Sequence, residues 1–145
     1  LKKLIQYIED LNLGFIQLHG EEDFNYIYEL KKLNVKIIKK ISIKNHEDLK
    51  KTENFSNADY YLFDYKPEMG ELPGGNSKSF DWSIIKNIQI NKPWFLSGGV
   101  NIDNIQLINS EIKPFGIDLS SGVEKKLGIK DNQIINNFMD KCKNA

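Results

Sequence analysis

The sequence predicts an α/β fold: a (β/α)8 TIM barrel of which only the last five βα units, strands four to eight, are present. Three observations predict it. Five short apolar runs end near Gly20, Ser42, Asp64, Gly99 and Gly122, at steps of 22, 22, 35 and 23 residues, the period of strand–helix units in a parallel sheet. The last two runs end in glycine-bearing turns, Leu96-Ser97-Gly98-Gly99-Val100 and Asp118-Leu119-Ser120-Ser121-Gly122-Val123-Glu124. Glycine lets backbone approach a ligand closely, and the loops after the last two strands are where such barrels hold a phosphate. Finally, the chain opens on Leu1, inside a helical pattern with no capping residue ahead of it. A closed barrel needs eight units, so three N-terminal units, roughly sixty residues at this period, are expected to be missing. Residues 1–145 are then a single partial barrel domain. An open doubly wound sheet is the alternative, but no GxGxxG turn occurs and every strand end is polar or glycine-bearing.

Each element follows from its pattern. Leu1, Leu4, Ile5, Ile8 and Leu11 mark one helix face. Phe15 to Leu18 reads as a strand ending at His19-Gly20, and Phe24, Ile27, Leu30 and Leu33 give a second helix face. The β-branched run from Val35 to Ile43 is a strand, followed by a weak helix from His46 to Phe55. Ala58 to Phe63 is a strand ending at Asp64, and a loop from Tyr65 to Ser79 carries Gly70, Pro73, Gly74 and Gly75. Asp81 is placed to cap a helix with Trp82, Ile84, Ile85 and Ile88 on its face. Strand Trp94–Leu96, helix Asp103–Ile108, strand Phe115–Leu119 and helix Asn132–Lys141 complete the chain, with Asn101 and Asp131 as caps.

Composition narrows the classes. The chain is 40% hydrophobic and 28% charged with a formal net charge of zero, as for one globular unit. That balance argues against nucleic-acid and anionic-membrane partners. No apolar run approaches the ~20 residues that span a bilayer. The single cysteine, Cys142, rules out an internal disulfide framework and fits a reducing compartment, so a cytoplasmic location is expected.

Several segments carry a resemblance. Gln17-Leu18-His19-Gly20-Glu21-Glu22, Leu62-Phe63-Asp64, Gly74-Gly75 through Phe80-Asp81-Trp82, the two glycine turns and Gly128-Ile129-Lys130-Asp131 stand in the order found in the phosphoribosylanthranilate isomerase family. The chain resembles that family along its whole length. The resemblance implies an isomerase of tryptophan biosynthesis, performing the Amadori rearrangement of N-(5-phosphoribosyl)anthranilate to 1-(2-carboxyphenylamino)-1-deoxyribulose 5-phosphate. It implies no cofactor and no metal, a phosphorylated small molecule as substrate, and leaves open a fusion to or association with indoleglycerol-phosphate synthase. Other phosphate-binding barrel enzymes, or a non-catalytic half-barrel that binds sugar phosphates, are the alternatives.

The same resemblance assigns residues. Asp64, at the end of an apolar strand where burial favours the neutral acid, is the general acid. Gly98, Gly99, Ser120, Ser121 and Gly122 hold the substrate phosphate. His19 and Gly75 belong to the substrate pocket, although His19 reads equally as a structural histidine. Asp118 either points into the barrel mouth or packs in a strand layer. The loop holding Gly75 is about three residues longer than the family pattern and carries Ser77 where glycine is usual. The family's cysteine base follows a first strand that has no counterpart here. Cys142 does not inherit its role, and the chain alone is expected to be inactive. Lys39, if it faces the interior, needs an anionic partner and is expected to form a structural pair.

Overall fold

A computed structural model describes residues 1–67, 78–86 and 88–143. Its centre is a five-stranded parallel sheet with strand order β1-β2-β3-β4-β5, following the chain. The strands are β1 (Phe15–Leu18), β2 (Lys36–Ile43), β3 (Tyr60–Tyr65), β4 (Trp94–Leu96) and β5 (Gly116–Ile117). Helices α1 (Lys2–Asp10), α2 (Phe24–Leu30), α3 (Ile105–Leu107) and α4 (Asn132–Lys143) lie outside them.

Alternation on the strands separates two faces. Ile37, Ile41 and Ile43 of β2, Tyr61 and Phe63 of β3, and Trp94 and Leu96 of β4 point to the helix side. There they join Ile27, Leu30, Ile105 and Ile108 in one core. The register pairs Lys39 with Tyr61, Ile41 with Phe63 and Phe63 with Leu96 along this side. The opposite, concave side carries an aromatic layer at the strand starts. The Tyr60 ring lies 6.0, 5.8 and 5.9 Å from those of Phe15, Phe95 and Phe115. Phe15 and Phe115 remain well exposed.

At the start of β3, Asp59 ties three elements together. It accepts from Lys31 Nζ at 2.8 Å, Lys36 Nζ at 3.2 Å and the Ile37 N–H at 2.9 Å. Burial opposes its charge, but those donors outweigh burial and hold its pKa below the usual value.

Several expectations need correction. β3 starts at Tyr60 instead of Ala58 and runs on to Tyr65, one residue past the Asp64 at which it was expected to end. β5 is only Gly116–Ile117, although the Phe115 and Asp118 N–H groups on either side still donate to the Trp94 and Leu96 carbonyls. The helix expected from Asp81 onward is a single 3₁₀ turn, Trp82–Ile84. The stretch His46–Phe55 is 3₁₀, started by an Asn45–Asp48 capping box. Lys39 forms the structural pair expected of it, though from the helix side of the sheet. Its Nζ meets the Gly20 carbonyl and Glu22 Oε2, each at 2.6 Å, with Phe55 beneath it. An unforeseen antiparallel hairpin, β6 (Glu124–Lys126) and β7 (Ile129–Lys130), precedes α4. Gly75 and most of its loop lie outside the described residues.

Candidate functional site

All five strands end on one side of the sheet, and the chemistry-bearing residues gather there. The ladder continues past β4 and β5: the Ser97 N–H donates to the Phe63 carbonyl at 2.8 Å and the Asp118 N–H to the Leu96 carbonyl at 2.9 Å. Asp64, Ser97 and Asp118 therefore stand at one level of the rim, with Gly98 one residue further on.

The Asp64 carboxylate lies directly against the first glycine bend. A Cβ added to Gly98 would come within 2.9 Å of Asp64 Oδ1 and of the Tyr65 backbone nitrogen. Gly98 and Gly99 have φ of +83° and +71°, which other residues adopt only with strain. Both conformation and proximity thus require glycine here. Asp64 Oδ1 also accepts from the Tyr65 N–H at 2.9 Å, and Oδ2 faces Lys40 Nζ at 3.6 Å.

The second bend docks on the first. A Cβ on Gly122 would strike the Val100 carbonyl oxygen, so the loops after β4 and β5 touch through backbone. Two asparagines fix the first bend: Asn104 Nδ2 and Asn101 Nδ2 donate to the Gly99 carbonyl at 2.9 and 3.2 Å. With that carbonyl held, the Val100 N–H of the same trans peptide points the other way. A cavity of about 470 Å³ lies between the bends and α4, lined by Gly99, Asn101, Ser121, Gly122, Ile134 and Asn137.

Sequence reasoning did not anticipate Lys130. From β7 its Nζ donates to the Ser120 carbonyl at 2.8 Å and to Ser120 Oγ at 2.7 Å, with Glu124 Oε1 also at 2.7 Å. A hydroxyl that accepts from an ammonium keeps its own proton free for another acceptor. Lys40 was equally invisible, being one of two adjacent lysines in a strand. Asn104 could have been suspected from its place beyond Asn101, since Asx residues commonly bond nearby backbone.

His19 sits exposed at the end of β1, where Gln17 Nε2 approaches its Nδ1 at 3.3 Å. Partial burial lowers its pKa from the usual value and Lys40 adds to that, while Asp64, Asp118 and Glu22 pull the other way. Asp118 is exposed on the same rim. Five of the expected positions, His19, Asp64, Gly98, Gly99 and Asp118, thus share one rim with the bend at Ser120, Ser121 and Gly122. Gly75 lies outside the described residues. Among the described residues no group of three His, Cys, Asp or Glu side chains could hold a metal ion. None of the helices described is long and apolar enough to cross a membrane.

Residues 1–141 match the family model described as N-(5'phosphoribosyl)anthranilate (PRA) isomerase. An N-(5'-phosphoribosyl)anthranilate isomerase of Rhizobium rhizogenes is 43% identical over 128 residues, 86% of this chain and 58% of its own length. The crystal structure of phosphoribosyl anthranilate isomerase from Thermotoga maritima superposes with a TM-score of 0.83 at 30% identity, covering 99% of this chain and 68% of that one. A phosphoribosyl anthranilate isomerase solved with reduced 1-(o-carboxyphenylamino)-1-deoxyribulose 5-phosphate matches at 28% identity with a TM-score of 0.75, covering 99% and 66%. The chain spans 58%, 66% and 64% of the length of the first curated relatives it matches.

These matches overturn one expectation. The reading of an incomplete barrel, strands four to eight only, gives way to the (β/α)8-barrel isomerase fold, which 99% of the chain shares with the Thermotoga structure. The spacing of strand ends counts the strands it finds and carries no information about closure, so it could not support a statement about missing units.

Proposed function

This chain belongs to the N-(5'-phosphoribosyl)anthranilate isomerase family, and from that premise we propose that it acts in the Amadori rearrangement of N-(5-phosphoribosyl)anthranilate, with Asp64 as general acid. The reaction opens a ribosylamine ring by protonating the ring oxygen, which leaves an iminium. Loss of the C2 proton then gives an enolamine that tautomerises to the ketone. One proton is delivered to oxygen and one leaves C2 for a general base, and of these two roles the acid is the one assigned to a residue of this chain.

Asp64 would deliver the first proton. Its carboxyl is held on the rim by the Tyr65 N–H and faces the concave side. Gly98, Gly99, Ser121 and Gly122 would hold the phosphate through backbone N–H groups, and the hydroxyls of Ser120 and Ser121 would add to them. Ser120 is supported in that role by Lys130. His19 and Asp118 would flank the anthranilate end, together with Gly75. Cys142 lies on α4 beside β5, with Pro114 and Phe115, so it is not assigned as base. The product analogue bound by a structural relative carries the same carboxyphenylamino and phosphate groups. The proposal extends to a cytoplasmic setting.

The observation that supports this reading is the closeness of Asp64 Oδ1 to Gly98, 2.9 Å from where a Cβ would stand, which sets the carboxylate beside the first glycine bend. Asp64→Asn is expected to lower kcat by ~10² or more in a fluorescence assay of isomerisation while KM changes little. Turnover within a few-fold of the parent would remove Asp64 from the mechanism.

A further inference from the structure

We propose that Lys40 is a positioning residue of this site, holding a cation beside the Asp64 carboxylate from β2 and setting the positive charge that His19 and an anionic substrate meet. The inference rests on the reading of Asp64 as the acid and extends it to a second strand.

Register carries the first part of the argument. β2 and β3 pair Lys40 with Leu62 and Ser42 with Asp64, so Lys40 and Asp64 share the concave face, one diagonal step apart. Lys39, its neighbour, points to the opposite face and is fully engaged by the Gly20 carbonyl, Glu22 and the Phe55 ring. Two adjacent lysines thus meet different fates because the strand alternates.

Burial carries the second part. The Lys40 side chain is only 8% exposed, and Asp64 Oδ2 at 3.6 Å is its one ionic partner among the described residues. A cation held so far from water is costly unless well paired, and this pairing is loose. A stability role would call for the close contacts that Lys39 has. The arrangement instead leaves ammonium donors facing the concave side, beside the carboxyl that the Tyr65 N–H steadies on its other oxygen.

Electrostatics agrees with the geometry. The ionisable groups gathered here are His19 beyond β1, Lys40 on β2, Asp64 on β3 and Asp118 beyond β5, with Glu22 behind His19. Lys40 is the only fixed cation of the five. It opposes protonation of His19, whereas the three carboxylates favour it.

The test uses the protein with Lys40→Met, close in volume, and Lys40→Arg, which keeps the charge. The chain has two histidines, so NMR titration follows His19 directly, with His46 as internal reference. In folded Lys40→Met the His19 midpoint is expected to move up while that of His46 stays. In Lys40→Arg both stay near the parent. In the isomerisation assay Lys40→Met is expected to lose up to about 10²-fold in kcat with a smaller change in KM, as for a displaced catalytic group, and Lys40→Arg to recover most of it. Asp64→Asn should move the His19 midpoint the opposite way, down. An unmoved His19 in folded Lys40→Met overturns the proposal, as does an unchanged kcat in a chain where Asp64→Asn is inactive. If Asp64→Asn itself leaves turnover intact, the acid assignment fails instead, and the His19 titration still reads the Lys40 charge independently.

Discussion

The two ends of β3 each carry an aspartate, five residues apart, and the protein treats them in opposite ways. Asp59, at the start, is saturated by two lysines and a backbone N–H, all within 3.2 Å. Asp64, near the end, has among the described residues one backbone donor and an ammonium 3.6 Å away. The side chains are equally well shielded, at 17% and 15% exposure, so burial does not separate them. Donor saturation does. A carboxylate whose lone pairs are all occupied holds elements together, whereas one with spare capacity on a concave rim can exchange a proton. In barrels the same division runs between the stabilising and the reactive face.

That contrast can be broken by mutation. Asp59→Ala strips the partner from Lys31, Lys36 and the Ile37 N–H at once, and is expected to cost roughly 3 kcal/mol in chemical denaturation, from the stranded Ile37 N–H and two partly exposed lysine pairs together. A loss below 1 kcal/mol would remove Asp59 as a structural clamp.

Asp48 distinguishes donor saturation from position along the strands. It packs against β2 but on the helix side, accepting from Lys51 and from the Lys44 and Asn45 N–H groups. Burial works against its charge, yet those donors prevail and bring its pKa down to about 2. A depressed carboxylate stabilises the fold above its ordinary value of 3.8 and loses that contribution as pH falls toward about 2. The parent is therefore expected to lose about 2 kcal/mol from this group across that window. Asp48→Asn should lower stability at neutral pH and flatten the acid limb of a denaturation series. An unchanged acid limb would mean that saturation is not what holds Asp48.

Smallest of all should be the effect of Asp64→Asn on stability, because the amide oxygen still accepts from the Tyr65 N–H and Lys40 loses a partner only at 3.6 Å. The variant should melt near the parent temperature while losing turnover. A large drop in Tm would erase the distinction between the ends of β3.

Much of this layout is legible in the residues themselves. The β-branched run of β2 and the apolar run of β3 announce strands because their side chains suit a pleated surface. Trp94–Leu96 is bounded by Pro93 and the glycines. Gly98 and Gly99 stand out because their bend needs left-handed backbone. The hairpin at 124–130 is silent, since Glu124, Lys125 and Lys126 show no apolar alternation. Which of Lys39 and Lys40 faces the concave side depends on register, which two like residues in sequence cannot reveal. The hold of Lys130 on Ser120 spans ten residues and depends on that unannounced hairpin. The regular period of strand ends gave the number of strands but misled on the state of the barrel.

One consequence of the glycine pair concerns evolutionary freedom. Gly98 abuts the Tyr65 backbone nitrogen and Gly99 abuts Ser79, so the chain leaves β3 and returns to the rim at adjacent points of a single bend. A segment whose entry and exit are pinned side by side can lengthen at little thermodynamic penalty, only about 0.6 kcal/mol for each doubling. Residues can therefore be added or deleted between 65 and 79 while Asp64 and the Gly98–Gly99 bend keep their places.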